Sequence, residues 1–287
     1  MGKIRIVTDS TGDLTLEEIE SLQIGFLPDI INFDNGSFRE LLDLSVAQFY
    51  TNMQASESLP TTAQPSPGDM QQLFADLVSQ GYEVMAFFIS SKLSGTMQTA
   101  KLVAGQFPPG SVTVVESCSV CLSLGFMVKM AAKAAAAGRT KQEILQLTDY
   151  ITENFKFYFV VDSLENLRKG GRIGKASAFL GTMLNIRPLL EIKDGMVCPV
   201  EKIRGKGKAI EAMTELVYKD ISQYPPGTFR VILGYTGSDE ELRKYKAGIL
   251  QRLGLAETEV SIVAIGAAVG THAGADALAI CYLPWPQ

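Results

Sequence analysis

Through roughly the first 155 residues, short apolar runs alternate with amphipathic helical stretches. That alternation constrains the fold more than any other feature of the chain. Lys3–Thr8, Phe26–Phe33 (interrupted by Pro28), Glu83–Ile89 and Ser111–Val115 read as strands. Leu44–Met53, Met70–Ser79, part of Leu93–Phe107 and Leu122–Ala137 read as helices, the last ending at Gly138. Thr15 with Glu18, and Thr140 with Glu143, have the spacing of capping boxes, the second opening a helix that runs to about Asn154. The segment Ser56–Pro67, with Pro60, Pro65 and Pro67, reads as an ordered loop. Strand–helix alternation of this kind predicts a mostly parallel sheet with helices on both faces.

The texture changes after a strand at Phe157–Val161. Leu164–Gly174 is basic and rich in glycine. Leu189–Ile192 and Met196–Ile203 flank Lys193-Asp194-Gly195, and Asp-Gly between apolar runs signals a hairpin. Lys208–Ser222 and Asp239–Leu253 read as amphipathic helices; Phe229–Tyr235, Val260–Ala264 and Ala279–Leu283 read as strands. The expectation is an α/β protein of two domains. The first, residues 1–158, has a mostly parallel sheet, and the second, residues 159–287, is α+β with a mixed sheet. The boundary falls in the stretch 155–162.

With 46% hydrophobic and 20% charged residues the chain is globular in composition. A net charge of −5 argues against a nucleic-acid binder, which needs a basic face for phosphates. The charge is nevertheless segregated: Glu165–Lys208 holds ten Lys/Arg against four Asp/Glu. Such a patch suits an acidic partner or a phosphorylated molecule, unless it scatters over several solvated faces. A single histidine excludes a multi-histidine metal site, and four cysteines do not make a disulfide scaffold. No targeting signal is read at the start, and Ile6 breaks the myristoylation pattern. Ser261–Leu283 is the most apolar stretch, with Gly266, Gly270 and Gly274 at GxxxG spacing. His272 and Asp276 within it argue against a membrane helix. The expected location is cytoplasmic.

Several short segments carry possible chemistry. Lys169–Ala176 looks like a phosphate loop but lacks the required first glycine and the hydroxyl after Lys175. Cys118-Ser119-Val120-Cys121 after a strand suits a thiol redox pair, or two buried small side chains. Ser90–Thr96 begins a helix, where hydroxyls and backbone N–H groups favour an anion or simply cap the helix. Pro60–Pro65 offers more hydroxyls. His272 lies between Gly270 and Gly274, which permit close backbone approach. Ser94 with His272 could form a hydrolase dyad, although no GxSxG elbow and no orienting carboxylate accompany them.

Six segments in order resemble the DegV family of bacterial fatty-acid-binding proteins: Val7–Thr11, Pro60–Pro67, Ile89–Thr96, Asp162–Gly174, Leu184–Pro188 and Gly270–Gly274. The resemblance implies two α/β domains with a long-chain fatty acid buried in a tunnel between them. It implies a carboxylate held by Thr62, by Ser94 with Gly95, and by His272. It further implies a non-catalytic subunit that presents the carboxylate to a separate fatty-acid kinase for acyl-phosphate formation and phospholipid synthesis. ATP and magnesium would belong to that kinase; this chain would have no cofactor, metal or catalytic residue of its own. Arg172 and Arg204 match the family's partner-docking positions. Three positions depart from the family pattern: Ala63 where Ser is usual, Met97 where Tyr is usual, and the two cysteines at 118 and 121. The alternatives kept beside this reading are an acyl hydrolase using Ser94 and His272 and a redox protein using Cys118 and Cys121. A histidine paired with the anion is expected to have a raised pKa.

Overall fold

The computed structural model describes residues 3–181 and 186–285, so Leu184 and Asn185 of the fifth motif lie outside the described residues. The chain forms two compact units. One is 1–45 with 60–153; the other is 46–59 with 154–287.

The first unit begins with β1 (Lys3–Asp9), a 3₁₀ turn at Ser10–Gly12, α1 (Leu16–Ser21), β2 (Gly25–Leu27), β3 (Ile30–Phe33) and β4 (Gly36–Arg39). The chain then supplies α2 (Val46–Ala55) to the second unit before returning with β5 (Thr61–Ala63) and α3 (Pro67–Ser79). The unit continues with β6 (Tyr82–Phe88), α4 (Thr96–Ala104), β7 (Val112–Glu116), α5 (Cys121–Ala136) and α6 (Lys141–Asn154). Its main sheet has the order β2-β1-β6-β7 and is parallel throughout. Side chains alternate across a strand. Accordingly Val7, Val84, Ala86 and Phe88 bury against Met70 and Phe74 of α3 and Ala100 and Val103 of α4. Ile6, Met85 and Phe87 have the opposite parity, the side on which α5 packs against β1 and β6.

The expected single strand Phe26–Phe33 is two strands in different sheets. Pro28 and Asp29 separate β2 from β3, and β3 turns away to pair antiparallel with β4 and β5. The expected loop at 56–67 therefore contains a strand. β-branched Thr61 and Thr62 suit a pleated edge, and the flanking Pro60 and Pro65 fall outside the ladder, where their missing N–H costs nothing.

The second unit adds β8 (Lys156–Val160), α7 (Glu165–Lys169), β9 (Ile186–Lys193), β10 (Met196–Arg204), α8 (Lys206–Ile221) and β11 (Phe229–Tyr235). It ends with α9 (Glu240–Leu253), β12 (Val260–Ala264), α10 (Ala267–Ala273) and β13 (Leu278–Pro284). The sheet order is β10-β9-β8-β13-β11-β12, antiparallel except for the β11–β12 pair. Helices α8 and α9 close a core of Val160, Leu189, Met213, Val217, Leu233, Ile249 and Ile280. The expected hairpin is present: Met196 pairs with Lys193 across Asp194 and Gly195, which have φ values of 51° and 73°. Both signs fit a type I′ turn. The apolar stretch 261–283 breaks into β12, α10 and β13, and no helix of the described residues is long and apolar enough to cross a membrane.

Candidate functional site

In the first unit the two hydroxyl-bearing segments meet. Thr62 lies on β5, paired with Ile31 of β3, and is half-buried. Ser94 and Gly95 lie just before α4, whose N-cap is Gly95. Gln64 joins them: its Nε2 donates to Thr99 Oγ1 at 2.6 Å, and a Cβ on Gly95 would stand 3.0 Å from its Oε1. Ser94 Oγ shares a hydrogen bond with Thr96 Oγ1 at 2.9 Å and accepts from the Thr96 N–H at 3.3 Å. The turn is held from behind. Leu93 and Ser94 N–H groups donate to Ser90 O at 2.9 and 3.1 Å, and Ser90 N–H donates to Ser119 O at 2.8 Å. A rigid turn of hydroxyls at the start of a helix favours negative charge, through the helix dipole and oriented donors. The contribution of Gln64 was not legible, because its partner Thr99 lies 35 residues away.

In the second unit His272 occupies the last turn of α10 and is half-buried. Two glycines place it. Gly170 follows α7, and a Cβ there would overlap His272 Nδ1; a Cβ on Gly270 would overlap the Tyr50 hydroxyl. Tyr50, from α2, donates to Ile265 O at 2.8 Å, and Asn166 Nδ2 donates to Thr271 O at 3.4 Å. The glycine-rich motifs at 169–174 and 270–274 are thus two sides of one packed contact. Arg172 belongs to it: its Nη1 donates to Gly170 O at 2.6 Å.

Burial, with a smaller contribution from the Arg172 charge, pushes His272 down to about 4. Within this unit the imidazole is therefore neutral at neutral pH, and the raised value expected from anion pairing is not the value these surroundings give. Arg204 is exposed at the end of the edge strand β10. Part of the basic segment is internally paired: Arg168 and Lys169 with Glu165, Arg187 with Asp162, and Lys206 with both Asp162 and Glu241. Cys118 and Cys121 are thiols with left-handed φ of 47° and 58°; Cys121 is buried. No cluster of metal-ligating residues occurs among the described residues.

A family model described as "Uncharacterised protein, DegV family" matches residues 3–285. The chain belongs to the DegV family. A DegV domain-containing protein of Deinococcus radiodurans is 36% identical over 282 residues, covering 98% of each chain. Among solved structures, a DegV family protein from Thermus thermophilus, described for its fatty-acid binding, superposes with a TM-score of 0.88. It is 30% identical, over 98% of this chain and 99% of its own. DegV of Bacillus subtilis, a fatty acid binding protein, superposes with a TM-score of 0.86 at 30% identity, over 99% of each chain.

Proposed function

We propose that this DegV protein binds a long-chain fatty acid and presents its carboxylate to a separate fatty-acid kinase. The observation that carries the reading is its similarity, across nearly the whole chain, to DegV proteins described as fatty-acid-binding. The local chemistry supports it. Burying about fifteen methylenes yields on the order of 12 kcal/mol at ~0.8 each, from which ordering costs must be subtracted. The carboxylate must be hydrogen-bonded to be buried at all. In this reading Thr62 and Ser94 donate hydroxyl hydrogen bonds, Gly95 lets the carboxylate approach the start of α4, and His272 supplies an imidazole N–H.

The partner kinase would transfer the γ-phosphoryl group of ATP to the carboxylate, with its own magnesium. Arg204 offers an exposed charge for docking. Arg172, which is tied to Gly170 and acts on His272, would bear on both docking and the carboxylate.

Native mass spectrometry of the purified protein, followed by organic extraction, tests the first claim. A stoichiometric fatty acid is expected; a protein that is empty and takes up none overturns it. Thr62→Ala and Ser94→Ala should each weaken binding by calorimetry, and full retention in both would remove the assignment. Arg204→Glu should leave lipid binding intact and slow acyl-phosphate formation with the kinase.

The hydrolase alternative is disfavoured by the electrostatics of His272. A general base works best with a pKa near the operating pH, whereas this imidazole lies beside an arginine at about 4.

A further inference from the structure

A second cleft lies in the first unit, at the starts of β1 and β6, and measures about 610 Å³. That is room for a whole small molecule. It is remote from the hydroxyl turn described above. Ser94 and Gly95 follow the far end of β6, about 20 Å away along a seven-residue strand.

The wall of this cleft is basic. Lys3, Arg5, Arg139 and Lys141 line it, and Glu83 is the lone carboxylate among the described lining residues. Two of the four cations are paired: Lys141 with Glu83 and Arg139 with Glu143, each at 2.8 Å. Neither Lys3 nor Arg5 has a carboxylate partner among the described residues.

Neutral groups hold Arg5 in place. Its Nη1 donates to Gln23 O at 2.6 Å and to Gln23 Oε1 at 3.1 Å, and its guanidinium carbon lies 4.3 Å from the centre of the Tyr82 ring. Its Nε is buried and has no hydrogen-bond partner among the described residues. A buried donor without an acceptor is costly, and a bound anion removes that cost. Lys3 stands two residues before Arg5 on β1, so both side chains leave the same side of the strand. Helix α6 begins at the cleft with Lys141, and the positive end of its dipole adds to the same field.

The remaining wall is apolar. Ile4 and Ile6 of β1 face it together with Ala132 and Ala135 of α5. Alanines on that stretch of helix leave space that larger side chains would fill. Two cations without partners suit a dianion better than a carboxylate, and the planar fork of arginine matches phosphate oxygens.

We propose that this cleft is a second ligand site, which takes a phosphate monoester with a small aromatic or aliphatic body. Arg5 and Lys3 hold the phosphate, and Ile4, Ile6 and Ala135 cover the body. The site shares no residue with the fatty-acid reading and does not depend on it.

Phenyl phosphate is the probe, titrated into the full chain at about pH 7.5 in about 20 mM salt, where screening is weak. Binding is followed by ¹H–¹⁵N NMR, which also reports the arginine Nε–H signals. Saturable shifts of the Arg5 Nε–H and of the Thr140 and Lys141 amides are expected, with one Kd below about 1 mM. Inorganic phosphate lacks the body and should bind about tenfold more weakly; benzyl alcohol lacks the charge and should not saturate. Arg5→Gln should weaken phenyl phosphate about tenfold, the loss of a charge-assisted hydrogen bond. Should Arg5→Gln fail to fold, two milder variants decide. Lys3→Gln removes an exposed cation, and Ala135→Leu fills the cleft without changing a charge; each should weaken the probe at least about threefold. Shifts that stay linear to about 20 mM overturn the proposal, as does wild-type affinity in both Lys3→Gln and Ala135→Leu. Inorganic phosphate binding as tightly as phenyl phosphate overturns it too, because the apolar wall would then hold nothing.

Discussion

At the residue scale, the glycines of the two glycine-rich motifs act through what they let approach. Gly170 lies where any Cβ would overlap His272 Nδ1. Gly170→Ala should therefore displace the imidazole and destabilise the protein by about 1–3 kcal/mol, the usual cost of overpacking. Denaturant unfolding checks the stability and calorimetry with fatty acid checks the site; an unchanged protein on both would show that the contact yields freely. His272 also makes a pH prediction. Its pKa is lowered in the folded protein, so its contribution to stability is complete above the ordinary value of 6.5 and is lost as pH falls towards about 4. His272→Gln should lose less stability than the wild type across that window in thermal melts. The glycine motif around His272 was legible as a close approach, but not which group approached. Gly170 and His272 are about a hundred residues apart, and no local pattern encodes such a pair.

At the element scale, local signals served well wherever the chemistry was local. The Thr15–Glu18 capping box is formed on both sides, and Thr140 and Glu143 cap α6 in the same reciprocal way. The Asp194-Gly195 turn holds the β9–β10 hairpin with both residues at positive φ. Gly195→Val should cost on the order of 1–2 kcal/mol, because a β-branched residue resists that region. A melt unchanged by the substitution would show that the turn can adopt another form. The elements that were not legible are those defined by a distant partner. Strand β5 is three residues long and exists through pairing with β3. Helix α10 is built from Ala, Val, Gly, Thr and His, a weak helical composition apart from its alanines, and is held by Tyr50, Asn166 and Gly170.

At the scale of the whole molecule, the chain crosses between units more often than its composition suggests. Residues 46–59 belong with 154–287, and α2 brings Tyr50 to Ile265. The expected boundary at 158/159 cuts through β8, which lies inside the six-stranded sheet between β9 and β13. A fragment of residues 159–287 should therefore lack a cooperative unfolding transition, whereas residues 46–59 linked to 154–287 should show one. Cooperative melting of the shorter fragment would refute the assignment of α2 and β8 as integral parts of that unit.

Local signals in the chain are enough for the alternating parallel half, the hairpin and amphipathic helices of the second half, and the ordered set of motifs that marks DegV. Periodicity, turn chemistry and caps act over a few residues, and those features need nothing more. Which strand joins which sheet, and what rests on each glycine, follow only from tertiary packing. Those outcomes depend on packing between distant segments, where exclusion of water and close contact set both the geometry and the charge state.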